Sequence, residues 1–300
     1  MSLEEGFRYP LDVNMTELAE RRMRNEIIKH RIINHHPFHY IYNPKSLCSP
    51  GSTFIGLPLL ILIKSSVRRY RLREVIRNTW GQKVKSRAIF KMAFLLGFLP
   101  SYQYIIDNEH YVHEDIIQEN FIDAYWNNTH KTIMAFNWAS QYCSHARTVL
   151  FLDDDMFVNL DNLENYVSEI DENRSEDLFS GILAERGIPV NDVMSKWFVS
   201  IHDYPYDYYP DYLAGSAIFV SMSVVKRFQA VFPYVRYFGI DDVYLGIVAN
   251  KLDIVPTETA NLDNTNLRNF QNLSILIANH GFDDPDLYVR TYTNLISDVP

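Results

Sequence analysis

Three consecutive aspartates, Asp153, Asp154 and Asp155, interrupt the stretch T-V-L-F-L-D-D-D-M-F-V-N-L-D-N-L-E at residues 148–164. Five apolar or β-branched residues lead into them, and Phe157 and Val158 return at once to the interior. Like charges in a row repel and are costly to bury, so something must make them tolerable. A calcium loop starting at Asp153 would use Asp155, Asn159, Asp161 and Glu164, but Val158 stands where that loop needs glycine. Phe157 also occupies one of its ligand positions, and the preceding residues read as a strand, not a helix. A phosphotransfer nucleophile shares the spacing of Asp153 and Asp155 but needs Thr or Val where Phe157 stands. Two readings stay open on these residues alone. The carboxylates either cap the next helix in a solvated turn, or they form a D-x-D site for a hard divalent ion, Mn²⁺ or Mg²⁺. In the second case the substrate's phosphates and water would fill the remaining coordination positions.

A second acidic pair, Asp241 and Asp242, precedes V-Y-L-G-I-V-A, whose Val243, Ile247 and Val248 recur at helical spacing. Carboxylates there suit a helix N-terminus, and a capping role is compatible with catalysis. Arg69, Arg73 and Arg77 fall four residues apart and form one cationic stripe.

Elements must hold these groups. The run L-P-L-L-I-L-I (57–63) reads as a buried strand, with Ser65 and Ser66 as N-caps of a helix over V-R-R-Y-R-L-R-E-V-I-R-N-T-W-G that Gly81 would stop. Further strands are expected at Ile89–Leu96, Thr148–Leu152, Leu178–Leu183 and Ala217–Val220. Helices are expected at Met15–Ile33, Lys131–Gln141, Leu160–Ile170 and Val224–Phe232. Alternating buried strands and helices imply an α/β fold around a mixed, mostly parallel sheet flanked by helices. In such sheets ligands bind beyond the carboxyl ends of strands, where the three aspartates fall. Residues 1–50 are polar and read as a stem-like or peripheral segment, with the domain proper at 51–300.

A net charge of −9 argues against nucleic acid as a partner. Cys48 and Cys143 permit one disulfide, without fixing their redox state. N-x-S/T sequons occur at Asn14, Asn127, Asn173 and Asn272. The first residues, M-S-L-E-E-G-F-R, lack a signal-peptide core, and the apolar run Phe54–Ile63 falls short of the ~20 residues a bilayer requires. As written the chain reads as soluble, either cytosolic or parted from an anchor, with membrane association expected only in the latter case.

Ordered motifs then accumulate. R-E-V-I-R-N-T-W-G (73–81) resembles the R-x-A-I-R-x-T-W-G of the β-1,3-galactosyl- and β-1,3-N-acetylglucosaminyltransferases, distant relatives of the Fringe enzymes. F-L-L-G (94–97), E-H-Y-V-H-E-D-I-I-Q-E-N-F-I-D-A-Y-W-N-N-T-H-K-T (109–132), F-L-D-D-D-M-F-V-N, Y-P-D-Y-L-A-G-S-A-I-F-V-S (209–221) and I-D-D-V-Y-L-G (240–246) follow in the family's order. Departures are Ala217 in place of a second glycine, Leu152 before the aspartates, few cysteines and no visible anchor.

The resemblance implies the nucleotide-sugar type A glycosyltransferase (GT-A) fold. It also implies Mn²⁺-dependent, inverting transfer of galactose or an N-acetylhexosamine from a UDP-sugar to a glycan acceptor in β-1,3 linkage. The acceptor would be carried on protein or lipid, and the compartment would be the Golgi. A catalytically inactive relative that binds UDP-sugar, glycan or a partner enzyme is the alternative. By motif position Asp242 would be the base, assisted by Asp241. Asp155 and His280 would hold the metal, with Asp153 in its shell. Arg73, Arg77, Lys131, Asp153 and Asp154 would contact the nucleotide. Trp197, Lys196, Tyr209, Tyr212 and Gly215 would line the sugar sites.

Overall fold

The computed structural model describes residues 13–49, 57–87, 89–170, 176–265 and 273–297. The sequons at Asn173 and Asn272, and residues 1–12 of the N-terminal segment, lie outside them. Strands β1 (Tyr40–Tyr42), β2 (Leu57–Lys64), β3 (Phe90–Phe98), β4 (Ile116–Ile122) and β5 (Ala146–Asp153) are followed by the short β6 (Met156–Val158). Then come β7 (Phe179–Ala184), β8 (Tyr212–Ser221), β9 (Thr257–Glu258), β10 (Leu262–Asp263) and β11 (Ala278–His280). In the main sheet the spatial order is β1-β4-β3-β2-β5-β8-β7-β9. Its centre, β4-β3-β2-β5, is parallel, whereas β8 runs antiparallel to both β5 and β7. A small sheet β10-β11-β6 stands beside it. This is the mixed, mostly parallel α/β arrangement expected.

Burial on both faces explains the unbroken apolar runs. Along β2, Leu59, Ile61 and Ile63 pack with Leu72, Ile76 and Trp80, while Leu60 and Leu62 pack with Phe136, Phe228 and Val248. The period-two alternation of a strand thus feeds two cores. One face carries α2 (Tyr70–Asn78), α3 (Trp80–Ser86), α6 (Leu160–Glu169) and α9 (Pro285–Ser297). The other carries α1 (Met15–Met23), α5 (Asn128–Tyr142), α7 (Met222–Val231) and α8 (Asp241–Lys251). Helix α4 (Gln103–His113) covers the β3–β4 side.

Three local expectations are corrected. The first helix ends at Met23 rather than Ile33, because Asn25 takes a left-handed φ of 60° that no helix continues through. Ser65 and Ser66 do not cap α2, whose N-cap is Arg69 without a side-chain bond. Gly81 is not a stop. The chain breaks at Thr79, whose hydroxyl bonds back to the Val75 carbonyl at 2.7 Å, and helix resumes at Trp80. A Cβ on Gly81 would come within 2.6 Å of the Ile76 carbonyl, so glycine is what lets α3 fold back there.

Residues 13–49 run along the surface yet are tied down. Met15, Leu18 and Ala19 enter the core beside Phe228 and Val231. The backbone nitrogens of Ile33 and Asn34 donate to the Pro233 carbonyl, and a disulfide joins Cys48 to Cys143 at the end of α5.

Candidate active site

The strand register decides what meets at the sheet's carboxyl edge. Lys64 at the end of β2 lies opposite Asp153 at the end of β5. A cleft of about 1230 Å³ opens there, lined by both, with Ser65, Arg69, Asp154, Asp155, Gly215, Asp241, Asp242 and His280 also on its walls. That volume exceeds the usual range of a single small-ligand pocket and leaves room for two substrates.

The aspartates of the triplet differ in their partners, although Arg69 approaches both Asp154 and Asp155. Asp153 Oδ1 pairs with Lys64 Nζ at 3.1 Å. Buried Asp154 accepts from the Ser65 hydroxyl at 2.6 Å and pairs through its other oxygen with Arg69 at 2.8 Å. Burial pushes its carboxyl up to about 6, against the opposing pull of Arg69 and Ser65. Asp155 is different. Its Oδ1 is buried without a hydrogen bond and lies 3.4 Å from His280 Nε2, brought in by β11 pairing with β6.

An orphaned carboxylate oxygen beside an imidazole nitrogen fits a divalent cation. Among the described residues no three His, Cys, Asp or Glu side chains converge as a closed cage. Two protein ligands with substrate and water completing the shell is the arrangement that suits Mg²⁺ or Mn²⁺ at a phosphate site.

Across the cleft, α8 starts at the acidic pair. Asp241 accepts from Lys64 Nζ at 2.8 Å and from the Thr132 hydroxyl at 3.1 Å. Burial alone would raise its carboxyl, but the Lys64 charge and these bonds hold it below the usual range. Asp242 is raised by burial and by the neighbouring Asp241 charge, despite bonds from the Val243 and Gly215 nitrogens. The two neighbours are therefore split, one held as an anion and the other able to exchange a proton near neutrality. For Lys64 itself, burial works against the charge, and Asp153 with Asp241 more than offset it.

Gly215 belongs here by size. A Cβ at this position would sit 3.3 Å from Lys64 Nζ and 3.4 Å from Asp242 Cβ. Tyr209, Tyr212, Lys196 and half-exposed Trp197 also line the cleft, with Lys196 Nζ 4.5 Å above the Trp197 ring and 5.5 Å above Tyr125. Lys131 lines it too, but its ammonium is engaged by the Ser65 carbonyl and by Asp123.

Arg73 and Arg77 are a correction. Neither lines the cleft, and both are buried. Arg73 grips Glu109 with two bonds of 2.7 Å, and Arg77 pairs with Glu109 and Asp115 at 2.7 and 2.8 Å. Of the stripe, only Arg69, the residue before α2, reaches the aspartate triplet. Lys64 escaped the sequence reading, although it shares their signal: a charge closing a buried apolar run. Ala217, the departure from the motif, is buried opposite Leu152 in the sheet and is not a cleft residue.

The sequence is similar to known proteins. The Galactosyltransferase family profile matches residues 71–260. The chain is 34% identical over 238 residues to a Drosophila melanogaster β-1,3-galactosyltransferase, covering 78% of this chain and 73% of that protein. It is 34% identical to the mouse lactosylceramide 1,3-N-acetyl-β-D-glucosaminyltransferase, covering 77% of this chain and 63% of that protein. Mouse β-1,3-galactosyltransferase 1 is 33% identical, with coverages of 78% and 71%. Among solved structures, the bifunctional glycosyltransferase WbbM aligns at a TM-score of 0.46 and 13% identity, over 82% of this chain and 51% of that one.

Proposed function

The chain belongs to the galactosyltransferase family of β-1,3-glycosyltransferases, and from that premise we propose an inverting, metal-dependent transfer of a hexose or N-acetylhexosamine from a UDP-sugar to a glycan hydroxyl. The observation that carries the proposal is the split acidic pair facing the aspartate turn across one cleft. Transfer of this kind requires a base on the acceptor side and charge stabilisation on the leaving-group side. Asp242 is the base. It accepts the acceptor hydroxyl's proton as that oxygen bonds to the anomeric carbon and the bond from that carbon to the UDP oxygen breaks. Asp241, held anionic by Lys64 and Thr132, favours the proton on its neighbour.

Asp155 and His280 would hold Mn²⁺ or Mg²⁺, which when bound supplies Lewis-acid stabilisation of the departing diphosphate. Arg69 and Lys64 keep the remaining carboxylates neutralised, so that an acidic cleft accepts an anionic donor. Tyr212 and Trp197 offer flat faces for sugar rings, and the Asp241–Lys64 pair lines the same cleft.

The compartment is the Golgi lumen. The Cys48–Cys143 disulfide supports an oxidising environment, and the sequons at Asn14 and Asn127 are consistent with one. No helix among the described residues is long and apolar enough to cross a membrane. The test is a screen of UDP-sugars with Mn²⁺ and β-glycoside acceptors, scored by UDP release and by the linkage of the product. The expected result is release with one hexose or N-acetylhexosamine donor and a β-1,3 product. Measurable UDP binding with no release from any donor would sink the proposal.

A further inference from the structure

The arginine signature on α2 has no access to the cleft, yet it is joined to the aspartate turn by an unbroken chain of hydrogen bonds. Glu109 on α4 receives two bonds from Arg73, Nε to Oε1 and Nη2 to Oε2, both 2.7 Å. This bidentate clamp fixes the plane of the guanidinium. Its remaining corner, Nη1, donates to the Ser65 hydroxyl at 3.0 Å and to the Ser66 carbonyl. Arginine can only donate, so the Ser65 oxygen acts as acceptor on that side and its hydrogen is directed to Asp154 Oδ2 at 2.6 Å. Ser65 is held at its other atoms as well. Its nitrogen donates to the Leu95 carbonyl, and its own carbonyl accepts from Lys131 Nζ. The residue is 4% exposed.

At the far end of the chain, Asp154 has both oxygens engaged, by Ser65 and by Arg69. Its backbone nitrogen donates to the Lys64 carbonyl at 3.1 Å. It is a peg, with each oxygen already engaged. Asp155 follows directly, with an oxygen that makes no hydrogen bond and points at His280. We propose that Ser65, clamped by Arg73 and Glu109, is the positioning residue of the aspartate turn. It pins Asp154 and so orients Asp155 toward the cation, and Arg73 acts through Ser65 rather than on the nucleotide. The proposal rests on the metal-dependent reading above.

Calorimetric titration of UDP into the intact chain, with Mn²⁺ and then with EDTA, tests this directly. Ser65→Ala and Arg73→Lys should each weaken UDP binding about tenfold in Mn²⁺, the usual effect of losing a residue that orients a metal ligand. Both should leave binding in EDTA unchanged. Ser65→Thr, which keeps the hydroxyl, should restore most of the loss. A cooperative thermal melt accompanies every variant, and Arg73→Lys decides alone if Ser65→Ala does not fold. Wild-type affinity of the variants in Mn²⁺ would overturn the proposal. So would an equal loss in Mn²⁺ and EDTA, the mark of a direct nucleotide contact. A wild-type protein whose UDP affinity ignores Mn²⁺ would overturn the metal-dependent reading itself, an outcome distinct from both.

Discussion

Asp241 and Asp242 are adjacent, yet their surroundings drive their protonation apart, because Lys64 and Thr132 hydrogen-bond only the first. Burial and the Asp241 charge push the Asp242 carboxyl up to about 6. A base must be unprotonated to work, so a raised value means activity is lost as pH falls through that region. The acid limb of kcat/KM should therefore bend near pH 6, falling about tenfold per unit below it. A limb near pH 4, the value of an ordinary carboxylate at about 4, would contradict the assignment. Gly215 belongs to the same scale. Gly215→Ala places a methyl against Lys64 and Asp242, at separations of 3.3 and 3.4 Å. The proposed base should be displaced and kcat should fall about tenfold or more, with the donor KM little changed. Equal kcat for the two proteins would show that the contact yields freely. At this scale the acidic residues were legible, because charges at the end of an apolar run stand out. The fates of Arg73 and Arg77 were not, because their partners Glu109 and Asp115 come from a distant helix and its following loop.

The elements that carry these residues were legible where an apolar run is long. The buried strands β2, β3 and β5 and the helix α5 fall where periodicity puts them, within a few residues at each end. What was not legible is β6, β11 and α9, short or late elements stabilised by contacts with distant segments. Tyr288 on α9 shows how. Its buried hydroxyl accepts from Trp80 Nε1 at 2.6 Å and donates to the Met156 carbonyl at 2.8 Å, next to the aspartate turn. Tyr288→Phe would leave a buried donor and a buried acceptor unpaired. The expected cost is about 1–3 kcal/mol in urea unfolding. An unchanged midpoint and slope would mean that water replaces the hydroxyl and that α9 does not brace the turn.

Over the whole molecule, the N-terminal strap is what a composition reading describes least well. Residues 13–49 are polar, yet they feed a helix into one core and close a disulfide across 95 positions of chain. Such a link restricts the unfolded chain, and its loss should cost roughly 2–5 kcal/mol. Reduction, or the double change Cys48→Ser with Cys143→Ser, should lower the melting temperature by several degrees. An unaltered melt would show that the strap is held by packing alone. The α/β class and its cleft at the strand ends follow from patterning, because only a sheet buried on both faces explains such runs. The proposed partition of that cleft into a metal side and a base side rests on side-chain placement alone. Its most direct test is the rate of sugar transfer by Asp242→Asn at saturating donor, acceptor and Mn²⁺. A fall of about 10²–10⁴-fold, with UDP affinity in Mn²⁺ intact, is the result this account predicts. Transfer at the wild-type rate would contradict it.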